Sequence, residues 1–190
     1  LSSIPPDYKL MKYDNGVKYD QFATFTNHIP SLPFFPDTAV GFIVAKEINA
    51  PGYKFNNILK STDGGSNWTT VFVDTSLNIR NTYFIDTISG FICGDSGKIL
   101  KTNDGGNSWQ YLNTTISSRL NTIYFKSGQV GFAAGDSGVI IRTTDGGNSW
   151  TLDSTGTSNN FTKIYAVNDS IVFAITNSSS VMNPSRMYSI

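Results

Sequence analysis

The sequence predicts an all-β chain assembled from repeated four-stranded antiparallel units, and two observations carry that reading. An eight-residue box, Ser61-Thr62-Asp63-Gly64-Gly65-Ser66-Asn67-Trp68, returns at Thr102–Trp109 and at Thr143–Trp150, so all three tryptophans of the protein stand 41 residues apart. Between the boxes, short runs rich in Thr, Ile, Val, Tyr and Phe alternate with Gly, Asn, Asp and Ser, the residue types of strands and turns, and no run has helical periodicity. A fixed period of this length marks a repeat architecture. Four short strands in about 41 residues is the size of one propeller blade.

Each box reads as a tight turn. Asp-Gly between apolar runs is a strong hairpin signal, because such turns need positive φ, which glycine adopts without steric cost. The carboxylates of Asp63, Asp104 and Asp145 can accept backbone N–H groups further round the turn, and Gly65, Gly106 and Gly147 complete it. Trp68, Trp109 and Trp150 then open the next strand with a large ring, expected to be mostly buried between neighbouring sheets with its N–H partnered. Identical recurrence of these aspartates is the mark of a structural role.

The rest of the period repeats too. Tyr83-Phe84, Tyr124-Phe125 and Tyr165-Ala166 correspond, as do Gly90-Phe91, Gly131-Phe132 and Val172-Phe173. Gly94-Asp95-Ser96-Gly97 returns as Gly135-Asp136-Ser137-Gly138. In the third unit the expected strands are A near Asn121–Phe125, B near Val130–Ala134, C near Val139–Thr144 and D near Trp150–Asp153.

Residues 1–31 stand outside the repeat, punctuated by Pro5-Pro6 and Ile29-Pro30, with a candidate strand at Tyr8–Tyr13. They form an N-terminal extension or a closing strand. The propeller then occupies residues 32–190, divided as 32–68, 69–109, 110–150 and an incomplete 151–190. The first unit begins near Phe34-Phe35. It carries eight extra residues between strands B and C, within Lys46–Asn57, expected as an irregular loop that holds Glu47, the sole glutamate. In the last unit, Phe161–Tyr165, Ser170–Ile175 and Ser185–Ile190 match strands A, B and C. The chain is then either a four-bladed ring closed by residues 1–31 or part of a larger propeller. The second is preferred, because a strand C without its neighbour exposes an edge.

The box Ser/Thr-x-Asp-x-Gly-x-x-Trp resembles the Asp-box, or BNR, repeat of sialidase-type propellers. The fuller pattern, Gly-Phe…Gly-x-x-Gly-x-Ile…Thr-x-Asp-Gly-Gly-x-x-Trp, is closest to the photosystem II stability/assembly factor-like propellers, a family that includes secreted bacterial proteins. The match covers roughly residues 33–176. It implies the fold and no particular activity.

Composition narrows the functions. Formal net charge is zero and charged residues make up 15% of the chain, so nucleic acid, which needs a basic face, is not an expected partner. No apolar run reaches membrane-spanning length. Cys93 is expected as a small buried residue, and His28, the only histidine, lacks neighbouring ligand types, so neither a metal nor a cofactor is expected. Gly-Asp-Ser-Gly matches the core of the trypsin-family serine motif. Its occurrence at the repeat period, without a base beyond His28, assigns Ser96 and Ser137 to turns. A sialidase would need an arginine cluster and a tyrosine–acid pair. The arginines are only Arg80, Arg119, Arg142 and Arg186, and Arg142 occupies the strand position of Lys101. Asn-x-Ser/Thr sequons start at Asn67, Asn113, Asn160, Asn168 and Asn177, a number that this composition produces by chance.

The expected function is a non-catalytic module that binds a protein or a glycan, extracellular, on the cell surface or periplasmic, with further blades of the same polypeptide as another candidate partner. Strand direction alternates, so boxes and A–B turns lie at one end of the blades and B–C turns at the other. At the B–C end the non-repeated insertion offers Tyr53, Lys54 and Phe55, and Arg80 and Arg119 stand near the starts of strands A; aromatic and arginine side chains are favoured anchors. The alternatives are a sialidase-like glycoside hydrolase using two aspartates, and a structural segment of a large surface protein or filament.

Overall fold

In the computed structural model, residues 8–14, 17–25, 28–31, 33–49, 53–168, 171–177 and 187–189 are described. They are all-β; the described helical turns are two short 3-10 segments at Asp95–Gly97 and Asp136–Gly138. The chain divides into two compact units, Leu1–Ser76 and Leu77–Ile190.

The first unit opens with a hairpin of β1 (Tyr8–Asp14) and β2 (Val17–Phe25), which among the described strands pair only with each other. Pro5 and Pro6 lie outside the described residues. A four-stranded antiparallel sheet follows: β3 (His28–Pro30), β4 (Gly41–Asn49), β5 (Tyr53–Ser61) and β6 (Thr69–Asp74). Its inner strand starts at His28, ahead of residue 32, and resumes as a bridge between Phe34 and Phe42. Ile43, Ala45, Leu59 and Phe25 form a buried cluster, against which Tyr8, Leu10 and Trp68 pack.

The expected irregular loop within Lys46–Asn57 is instead strand over 46–49 and 53–57. β4 and β5 pair without a break out to Asn49↔Tyr53, and Glu47 lies between His28 on β3 and Phe55 on β5. The insertion keeps the ladder of its flanking strands and satisfies its own N–H and C=O groups, which a free loop would leave to water. Residues 50–52 lie outside the described residues, as do the side chains of Tyr53, Lys54 and Phe55.

The second unit holds β7 (Ile79–Phe84), β8 (Gly90–Gly94), β9 (Ile99–Thr102) and β10 (Gln110–Leu112), then β11 (Leu120–Phe125), β12 (Gly131–Gly135), β13 (Ile140–Thr143) and β14 (Thr151–Asp153). A last sheet shows β15 (Asn160–Ala166), β16 (Val172–Asn177) and β17 (Met187–Ser189); Asp169, Ser170, Ser185, Arg186 and Ile190 lie outside the described residues. Each sheet is an antiparallel meander, and each four-stranded one takes its outer strand from the residues after its tryptophan. Inner strands β7, β11 and β15 neighbour one another.

Apolar clusters fill the spaces between these sheets. Phe91, Cys93 and Ile99 of the second sheet meet Ile123, Phe125, Ala133, Ile141 and Trp150 of the third, with the Phe91 and Phe125 rings stacked at 3.8 Å. Phe132, Ala134 and Ile140 then meet Phe161, Ile164, Ala166, Val172 and Ala174 of the last. Trp150 is buried in this way, whereas Trp68 and Trp109 are half-buried. Trp150 packs on the face that looks to the preceding sheet; Trp109 belongs to the first sheet of its unit, which has no preceding sheet within that unit.

The boxes close alike in all three copies. The hydroxyl of Ser61, Thr102 or Thr143 donates to the Asp carboxylate at 2.8 Å and accepts the N–H of Gly65, Gly106 or Gly147 at 2.8–2.9 Å. The carboxylate also accepts the N–H four residues on, at 2.9 Å each time. The indole N–H donates to the carbonyl of Gly65, Gly106 or Gly147 at 2.8–3.1 Å. The box glycines all have positive φ, as the turn chemistry requires. Gly64, Gly105 and Gly146 donate to the A–B turn carbonyls of Ala39, Ile88 and Gln129. Boxes and A–B turns therefore share one end of each sheet, as expected from strand alternation.

Candidate protein-binding face

The B–C turns occupy the other end. In the second and third sheets each is a Gly-Asp-Ser-Gly turn with Ser96 or Ser137 in the left-handed region. Gly97 and Gly138 follow at positive φ, where a Cβ would strike the carbonyls of Ile116 and Thr157. Both serines are thus turn residues.

These turns place Asp95 and Asp136 beside the arginines expected from sequence. Asp95 Oδ1 accepts Arg80 Nε at 3.2 Å and Arg119 Nε at 2.8 Å, and its Oδ2 accepts the Asn78 amide at 3.2 Å. Arg119 reaches on to Asp136 at 3.4 Å. Asn121 donates to Asp136 at 2.7 Å and to the Phe161 carbonyl at 3.0 Å, while Asn160 accepts the Ser137 N–H at 2.9 Å. Partial burial alone would raise the Asp95 carboxyl; hydrogen bonds from Arg80 and Asn78, with Arg119, outweigh it and hold the group below its ordinary value. Arg80 and Arg119 are therefore brought together at Asp95, and Arg119 joins the second sheet to the third, while the two stay 31% and 44% exposed. Sequence reasoning found both arginines but missed their carboxylate partners. The available signal was the recurrence of Asp95 at Asp136, one period on.

A second row missed by sequence lies along the inner strands, where the Tyr83, Tyr124 and Tyr165 rings follow one another at 5.2 and 5.0 Å. Burial pushes the Tyr83 and Tyr124 phenols up, with the neighbouring tyrosines adding to it. Cys93 is buried and free; burial pushes its thiol up as well, opposite to what a nucleophile requires. No cluster of metal-ligating side chains occurs among the described residues. In the first unit, β4 and β5 carry the extended hairpin at the same B–C end of their own sheet, with Tyr53, Lys54 and Phe55 on its returning strand.

Residues 60–183 match the family model for the photosynthesis system II assembly factor YCF48. The chain belongs to that family. Among solved structures, YCF48 from Cyanidioschyzon merolae superposes with a TM-score of 0.59 at 20% identity, covering 76% of this chain and 47% of that one. YCF48 bound to a D1 peptide gives 0.59 at 17%, covering 86% and 54%. The GH74 enzyme of Niastella koreensis gives 0.59 at 18%, covering 80% and 27%. No curated protein matches. At these identities the likeness shows the fold: an all-β propeller of four-stranded antiparallel blades. The chain spans about half the length of either YCF48 structure. That an enzyme and an assembly factor share the fold shows how little the scaffold itself dictates chemistry.

Proposed function

We propose that this chain is a non-catalytic protein-binding module, working at a secreted or surface location, and that it meets its partner through the B–C end of its sheets. The observation that carries this is the extended β4–β5 hairpin, which replaces the short Gly-Asp-Ser-Gly turn of the second and third sheets. Non-repeated extensions on a repeat scaffold concentrate on binding faces. Tyr53, Lys54 and Phe55 are the proposed anchors there. In the second unit, Arg80 and Arg119, oriented by Asp95, are separate proposed anchors at the B–C end of their own sheets. Family membership supports the reading, since one YCF48 structure holds a D1 peptide.

Glycoside hydrolysis fits less well. A glycosidase general acid needs a raised carboxyl, whereas Asp63, Asp104 and Asp145 are lowered by the hydrogen bonds of their boxes and Asp95 by Arg80, Asn78 and Arg119. We also propose that further blades continue the array. Tyr165, Ile171 and Ile175 are exposed, and they stand one period after Tyr124, Val130 and Ala134, which pack between sheets.

The test is affinity capture from the native source with chemical cross-linking, comparing wild type with a Tyr53→Ala/Lys54→Ala/Phe55→Ala variant. Point changes are preferable to trimming the hairpin, because β3 pairs with Ala45–Glu47. Loss of the captured partner at unchanged thermal stability supports the reading. Full retention of the partner, or turnover of glycosides by the purified chain, counts against it.

A further inference from the structure

A cavity of about 270 Å3 lies in the first unit between the N-terminal hairpin and the sheet, walled by Leu10, Phe25, Pro30, Pro33 and Ile43, with Lys9 at its edge. Its position on the repeat gives it meaning. Phe42 pairs with Lys60 as Phe132 pairs with Arg142, so Ile43 and Leu59 are the counterparts of Ala133 and Ile141. In the third sheet that face receives Phe91, Cys93 and Ile99 from the sheet before it. In the first sheet the β1–β2 hairpin covers the same face, and Tyr8 and Leu10 pack there instead. The hairpin is a cap that leaves part of an inter-sheet slot unfilled.

From this we infer a pocket for one apolar side chain of a partner protein, flanked in the partner's sequence by an acidic residue whose carboxylate meets Lys9. The inference rests on the reading of the chain as a protein-binding module. Size fits, since an apolar cavity of roughly 150 Å3 already accepts a benzene ring. The walls offer little hydrogen bonding. Pro30 and Pro33 have no N–H, and the Ser31 hydroxyl already accepts the N–H of Val44 at 3.2 Å. A chain-terminal carboxylate would want a nest of backbone N–H groups, which two prolines do not supply. A flexible Asp or Glu side chain suits the exposed ammonium on its long stem. Among the described residues Lys9 has no ion-pair partner.

The experiment uses the full chain with labelled Ile and Leu methyl groups, titrated with acetyl-Phe-Glu-amide and with its neutral isostere acetyl-Phe-Gln-amide. The expected result is saturable shifts confined to Ile43 and Leu10. The acidic peptide should bind about two- to five-fold more tightly, the range of an exposed ion pair, and Lys9→Ala should abolish that preference. No saturable shift at these methyls, or equal binding of both peptides, overturns the proposal. Because the peptides need no macromolecular partner, a blank here beside intact partner capture removes the pocket alone. Loss of the hairpin result beside saturable shifts here removes the binding-face reading instead.

Discussion

The first and third sheets are copies of one repeat, and they differ in what surrounds them. Both close the same box: Ser61 and Thr143 each tie an aspartate and a glycine N–H, and both indoles donate to the box carbonyl. Yet Trp150 sinks between two sheets while Trp68, packed beside Phe25 of the N-terminal hairpin and Phe35, stays half-buried. The B–C ends differ further. The third sheet turns through Asp136–Gly138; the first extends into a long hairpin. Turn chemistry is thus local and repeats faithfully, whereas burial and elaboration depend on neighbours.

That contrast can be broken most severely at the tryptophans. Trp150→Ala should destabilise by about 3–5 kcal/mol, the usual cost for a buried large aromatic. Trp68→Ala should cost about 1–2 kcal/mol, near the average for point substitutions. Urea unfolding of the two variants compares them directly; equal losses would mean that neighbours do not set the worth of the ring.

The box hydroxyl should behave in the opposite way. Thr143→Ala leaves the buried Gly147 N–H without its acceptor, at a cost of about 1–3 kcal/mol. Ser61→Ala should cost the same, because the motif is local, and Thr143→Ser should be nearly silent, since serine already does this at position 61. A large difference between the two alanine variants would contradict the local account.

Acid should loosen all three boxes together. The carboxyls of Asp63, Asp104 and Asp145 sit at about 2 against an ordinary 3.8, held there by hydrogen bonds, chiefly from Asn67, Ser108 and Ser149. A folded value below the unfolded one contributes stability that is complete above the ordinary carboxyl range and is lost as pH falls through the folded value. Unfolding midpoints measured from pH 6 to pH 2 should fall mainly below about pH 4, and Asp145→Asn should flatten part of that fall. The smallest effect is expected at Arg119→Gln. Its ion pairs with Asp95 and Asp136 are largely solvated, so the loss in chemical denaturation should stay below about 1 kcal/mol.

Much of the scaffold was legible in advance because its signals are short-range. Asp-Gly-Gly with a following tryptophan specifies its own turn, and the observed strands β11–β14 fall within a residue or so of the expected A to D. Where partners come from another strand or sheet, the sequence was silent. Nothing in Lys46–Asn57 shows that β3 will pair with it and draw it into strand. Arg119 reads as a free anchor until Asp95 is seen 24 positions earlier in the chain and within hydrogen-bond reach. The cavity beside Ile43 depends on how a hairpin outside the repeat covers a repeat face, which no periodicity encodes.

The central claim is that the repeated parts are scaffold and the unrepeated hairpin is the binding element. Amide hydrogen exchange of the chain, alone and with the partner that wild type captures, tests it most directly. The account predicts that protection on binding is strongest at Tyr53–Phe55 and weak at the Asp63, Asp104 and Asp145 boxes. Protection centred on the boxes, with the hairpin exchanging as it does in the free chain, would contradict it.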